Sequence, residues 1–146
     1  MAKVSVSAEI PAEPERVWAL AVDLPRVAEW NTMHESFTGD VPETLTEGTT
    51  YKQRVKLMGM PAEMAWTVTA AQAPGRLEQA GDGPMGVKAQ HRVFIEPVAD
   101  GTKLTIEMEF NGPALGGPMA VMVEKQAGSS TKASVAKFAE LLSANG

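Results

Sequence analysis

His34 and His91 are the two histidines of the chain, and no cysteine accompanies them. Histidine suits proton transfer near neutral pH and oriented hydrogen bonding to a ligand. In "VKAQHRVFI", strand alternation places Val87, Ala89, Val93 and Ile95 on the face that carries His91, so His91 is expected to point into an apolar interior. The same alternation in "YKQRVKL" turns Gln53 inward between Tyr51 and Val55. A polar group buried without a partner costs roughly 1–3 kcal/mol. These groups therefore need each other, Tyr51, ordered water or a ligand. A satisfied structural histidine and a ligand-orienting one both meet that need, and the residues alone leave the choice open.

Other chemistries find less support. Without cysteine there is no disulfide, thiolate metal site or cysteine nucleophile. The histidines lie 57 positions apart with no paired carboxylates at ligand spacing, so no metal site is expected. "GDGPMG" is glycine-rich but sits between strands rather than ahead of a helix, which reads as a loop at a cavity mouth and not as a phosphate cradle. The net charge of −5 arises from 13 basic and 18 acidic side chains with no cationic block, so no nucleic-acid partner is expected. Lys52, Arg54 and Lys56 alternate onto one solvated strand face.

The elements that must position these residues are legible from periodicity. "KVSVSAEI" has an apolar period of two and ends at Pro11. A short helix enters at Pro14, with Val17, Leu20, Ala21 and Leu24 on one stripe, and a second helical piece starts at Pro25. From about residue 33 the chain reads as strands. "GDVPETLTEG" is a loop. "TTYKQRVKLMG" is a strand that turns at Gly59 to Pro61, and "AEMAWTVTAA", a short "RLEQA", "VKAQHRVFIEPV" and "KLTIEMEF" follow. The last two join at "ADG", a tight-hairpin signal. A long helix runs from Gly117 and Pro118 to the stop signals Asn145 and Gly146, about 26 residues or roughly 39 Å. This order is α+β, one domain over 1–146, with an antiparallel sheet wrapped around a terminal helix. The polar, alternating start is unlike a signal peptide and no apolar run reaches the length of a membrane span, so a cytoplasmic location is expected.

The last helix carries Val123, Ala127, Ser130, Ser134, Phe138 and Leu141 on its inward side, bulky at the ends and small in the middle. Gly128 adds a cost of roughly 1 kcal/mol relative to alanine. Two accounts remain open: close approach of helix and sheet with Trp66 filling the gap, or a cavity with adaptable methionines at its mouth.

"IPAEPERVWALAVDLPRVAEWN" resembles the N-terminal signature of the START-like (SRPBCC) superfamily, in its polyketide cyclase/dehydrase-like branch. The matching positions are Pro11, Ala12, Val17, Trp18, Asp23, Leu24, Pro25 and Trp30. "GMPAEMAWTV", "GDGPMGVKAQHRV" and "NGPALGGPMA" are similar to an actinobacterial subgroup described as toxins of type II toxin-antitoxin pairs. The resemblance implies a helix-grip fold: a curved antiparallel sheet of about six to seven strands around a long C-terminal helix, with two short helices after the first strand. It also implies a small hydrophobic ligand, such as a lipid, polyketide or other apolar or aromatic molecule, held between helix and sheet; separately, no cofactor is expected. The residues expected to line that cavity are Trp30, Tyr51, Gln53, Trp66, His91, Met108, Met119, Val123 and Phe138. Gln53 and His91 would orient a polar end of the ligand. The toxin resemblance implies an antitoxin-like protein partner. The cyclase label implies proton transfer by His91 or His34 in closing and dehydrating a polyketide.

Overall fold

The computed structural model describes residues 2–57 and 60–144. The expected turn at Gly59 and the stop signals Asn145 and Gly146 lie outside the described residues. Seven strands form one antiparallel sheet: β1 (Ala2–Ile10), β2 (His34–Thr38), β3 (Thr50–Leu57), β4 (Met60–Gln72), β5 (Arg76–Asp82), β6 (Lys88–Val98) and β7 (Gly101–Asn111). Their spatial order is β1-β7-β6-β5-β4-β3-β2. The six later strands therefore form a meander, and β1 returns to pair with β7 from Ala2 opposite Phe110 to Ile10 opposite Thr102. The sheet curls around α2 (Pro118–Ala144), as the α+β helix-grip expectation required.

Proline sets the entry of both short helical elements. Pro14 is the first residue of α1 (Pro14–Ala21), where its missing N–H is no loss, and Pro25 sits in the first turn of the next piece. That piece, Leu24–Glu29, is a 3-10 helix of six residues. β2 is the strand that periodicity did not delimit: five residues, with a register shift between His34 and Ser36. β5 continues past "RLEQA" to Asp82. The tight hairpin is present, with Val98 opposite Gly101 across Ala99 and Asp100.

Alternation sorts the sheet into two faces. The concave face buries Val68, Leu77, Val93, Leu104 and Ile106. On the convex face Arg92 lies opposite Glu78 and Glu107 and pairs with Glu78 at 3.4 Å, Glu107 at 3.6 Å and Glu109 at 3.2 Å. One guanidinium thus spans three strands. Lys52, Arg54 and Lys56 are exposed, as a solvated strand face requires.

The buried stripe of α2 comprises Val123, Ala127, Thr131, Ser134, Val135, Phe138 and Leu142. Ser130 and Leu141, expected on the inward side, are half-buried instead. Gly128 faces Val4 of β1, where an added methyl group would make ordinary contact at 3.8 Å, so packing does not demand glycine there. No helix among the described residues is long and apolar enough to cross a membrane.

The link between β1 and α1 is fastened to β7. The Thr102 hydroxyl donates to the Ala12 carbonyl at 2.6 Å in a buried site, and a Cβ at Gly101 would fall 2.1 Å from the Ile10 carbonyl oxygen. Glycine is needed for that approach. Replacing the hydroxyl by a methyl group leaves the Ala12 carbonyl without this donor. Thr102→Val should lower the unfolding free energy by about 1–3 kcal/mol in urea titrations, and an unchanged midpoint would show that this bond is not a stabilising clamp.

Candidate functional site

Small side chains in the middle of α2 leave room beneath it. A cavity of about 70 Å³ lies between α2 and the concave sheet. Tyr51, Gln53 and Val55 of β3, Met64 and Trp66 of β4, Gln79 of β5, His91 of β6 and Ile106, Met108 and Phe110 of β7 form its floor. Thr131 and Ser134 of α2 line it from the helix side. Ala21, Leu24, Val27, Trp30, Asn31, Met33, Phe37 and Leu45 complete the lining from α1, the 3-10 helix, β2 and the loops. None of these residues is Asp, Glu, Lys or Arg. A separate depression of about 260 Å³ lies between α1, the 3-10 helix and the end of α2, lined by Arg16, Asp23 and Arg26 together with Leu20, Leu141 and Leu142.

The cavity account holds at the centre of the helix, and Trp66, which the close-packing account set in the gap, lines the cavity instead. The helix packs on β1 at Gly128, while Thr131 and Ser134 open the cavity. The hydroxyls also have work of their own. Thr32 donates its backbone N–H to Ser134 Oγ at 3.0 Å and its hydroxyl to the Ser130 carbonyl at 2.9 Å. The segment after the 3-10 helix is thereby pinned to the helix centre, with Asn31 and Met33 over the cavity.

Two polar relays cross the apolar floor. Trp66 Nε1–H donates to Gln53 Oε1 at 3.0 Å, and Gln53 Nε2 lies 2.8 Å from His34 Nδ1. Tyr51 donates its hydroxyl to Gln79 Oε1, and Gln79 Nε2 lies 3.1 Å from His91 Nδ1. Each glutamine accepts from an aromatic donor and passes an N–H to an imidazole. Neighbouring rings support these groups: Trp66 and His91 lie 6.2 Å apart, Phe37 and Tyr51 6.0 Å, and His34 and Phe37 4.7 Å. Gly81, opposite Trp66, makes room for the indole, since a Cβ there would lie 2.7 Å from the ring.

Burial sets the protonation states. Desolvation pushes His91 down to about 4 and lowers His34 below its ordinary value. It raises the Tyr51 phenol, against the opposing pull of the bond to Gln79. All three groups are neutral at ordinary pH.

Of the nine residues expected to line the cavity, Trp30, Tyr51, Gln53, Trp66, His91 and Met108 do so. Three do not. Val123 is buried in the core outside the lining. Phe138 is buried too, packed edge-on against Trp30 with centroids 5.1 Å apart, so it supports a lining residue. Met119 is 43% exposed, because the first turn of α2 turns its apolar side chains outward. His34 is absent from the lining and reaches it only through Gln53. Sequence reasoning placed Ser134 on the inward side of the helix without naming it as lining, and it missed Gln79, Leu45 and Thr131. Gln79 had a signal, since Leu77, Gln79 and Gly81 share the inward face of β5. Leu45 had none, because it comes from an irregular loop.

A curled antiparallel sheet closed by a long C-terminal helix over an interior cavity is the START-like architecture. Residues 1–143 match the polyketide cyclase / dehydrase and lipid transport family, and the chain belongs to it. A protein named as a toxin in Mycobacterium tuberculosis (strain H37Rv) is 36% identical over 123 residues, covering 84% of this chain and 85% of that protein. Among solved structures, a protein from Thermus thermophilus superposes with a TM-score of 0.80 at 20% identity, covering 98% of each chain. A START superfamily protein from Mycobacterium smegmatis gives 0.76 at 18% identity, covering 99% of each. These two share the fold.

A histidine whose pKa is lower in the folded chain contributes stability that is present above its unfolded pKa and lost as pH falls, because the unfolded state takes up the proton first. For His91 that window runs from 6.5 down to about 4. Thermal unfolding of the wild type relative to His91→Gln should show a constant difference above the window and a progressive loss of wild-type stability within it. Parallel curves would mean that His91 titrates normally.

Proposed function

We propose that this protein binds a small, largely apolar molecule in the cavity between α2 and the sheet, and that it does so in the cytoplasm. The observation that carries this reading is the pair of relays set in an apolar wall. Binding sites for small molecules are typically concave and apolar with a few placed polar groups. Family membership supports the same reading, since lipid transport is part of the family's description. The cavity accommodates a ligand of a few heavy atoms as it stands. A larger one requires movement of Met33, Met64 or Met108, whose unbranched thioethers re-pack readily.

Thr131 lines the cavity from the helix, so Thr131→Phe should fill it while leaving the α2 contacts with β1 in place. Native mass spectrometry of protein purified from its own host should find a small molecule on the wild type and at least about tenfold less on the variant, with circular dichroism unchanged. Equal loading of both would place the ligand elsewhere.

A second reading is favoured by one observation, the 36% identity to a protein named as a toxin. On that reading the chain arrests growth and an antitoxin-like protein silences it. Induced expression should then stop growth, and co-expression of the product of an adjacent small gene should restore it. Unimpaired growth at high expression would remove this reading.

Cyclisation and dehydration gain less from the geometry. His91 and His34 each present Nδ1 to a glutamine N–H, and burial lowers both, which weakens either as a base.

A further inference from the structure

The hydrogen-bond directions in the cavity specify what kind of polar group a ligand can bring, given that the cavity is a ligand site. An indole N–H can only donate. Trp66 therefore fixes the Gln53 amide with its oxygen toward the indole and its nitrogen toward His34. The second relay runs the same way: Tyr51 donates to Gln79 Oε1, and Gln79 Nε2 donates to His91 Nδ1. An Nδ1 that accepts leaves the proton of the neutral ring on Nε2. Among the described residues the His91 Nε2–H has no partner.

Trp30 adds an independent observation. It lines the cavity, is 5% exposed, and its Nε1–H is buried with no hydrogen-bond partner among the described residues. Asn31 Oδ1 already accepts from the Met33 backbone N–H at 2.9 Å, and Ser134 Oγ is engaged with Thr32. The aromatic groups left over in this wall are therefore donors. Among the described residues no charged side chain lines the cavity, so a carboxylate or ammonium would shed its hydration with no opposite charge to replace it.

We propose that the cavity selects uncharged molecules whose inserted end carries a hydrogen-bond acceptor, such as a ketone, ester, lactone or quinone carbonyl, and that the His91 Nε2–H and the Trp30 Nε1–H recognise that oxygen. Fatty acids and amines of equal size are excluded by charge. Plain hydrocarbons enter but leave both donors unsatisfied.

Three probes of one skeleton test this: acetophenone, ethylbenzene and benzoate, titrated into the ¹⁵N-labelled full chain and followed by amide shifts. Acetophenone should bind about tenfold more tightly than ethylbenzene, the usual worth of a buried hydrogen bond, and benzoate should bind weakest. In His91→Phe and Trp30→Phe the advantage of acetophenone over ethylbenzene should shrink, with ethylbenzene itself still bound. If ethylbenzene matches acetophenone, the cavity remains a ligand site and the acceptor selectivity is wrong. If benzoate binds best, the exclusion of charge is wrong. If none of the three binds the wild type, the ligand site and the selectivity fall together. A second measurement needs no variant: the ring ¹⁵N shifts of wild-type His91 should report the Nε2–H tautomer, and an Nδ1–H ring would overturn the proposal.

Discussion

The amides of Gln53 and Gln79 are the constraint around which the interior is arranged. Each lies on the buried face of a sheet whose other inward residues are largely aliphatic or aromatic, and each would be costly there without partners on both ends. Satisfying them requires Trp66 and Tyr51 on one side and two imidazoles on the other, drawn from β2, β3, β4 and β6. The register of these strands is thus tied to polar geometry as well as to hydrophobic alternation. A slip by one residue would turn both amides' partners to the wrong face.

The helix answers a complementary demand. A row of leucines at its centre would collapse the cavity onto the relays. Thr131 and Ser134 instead supply small polar surface, and Ser134 with the Ser130 carbonyl captures Thr32. One set of residues both limits helix bulk and fixes the segment that carries Asn31 and Met33 over the opening. The Ser134 hydroxyl gives the Thr32 N–H an acceptor that an apolar side chain at that position would lack.

Much of this was legible in the sequence. Period-two alternation placed Gln53 and His91 inward, proline placed both short helical elements, and the helix composition raised the cavity as one of two options. What periodicity could not supply was partnership. Gln79 meets His91 only because β5 pairs with β6, and Leu45 enters the lining from a loop with no period. Met119 shows the opposite failure: a methionine beside a glycine-rich entry suggested a cavity mouth, whereas the first helical turn points it to solvent.

The pairing of β1 with β7 also orders events during synthesis. Ala2 must find Phe110, a separation of 108 residues, and α2 in turn packs chiefly on β1. The strands from β2 to β6 are joined to their neighbours by local connections and can pair as they emerge, which lowers the entropy of closing each contact. The first strand has no partner until β7 leaves the ribosome. β1 thus closes the sheet through its longest-range pairing, and α2 packs chiefly on that same strand.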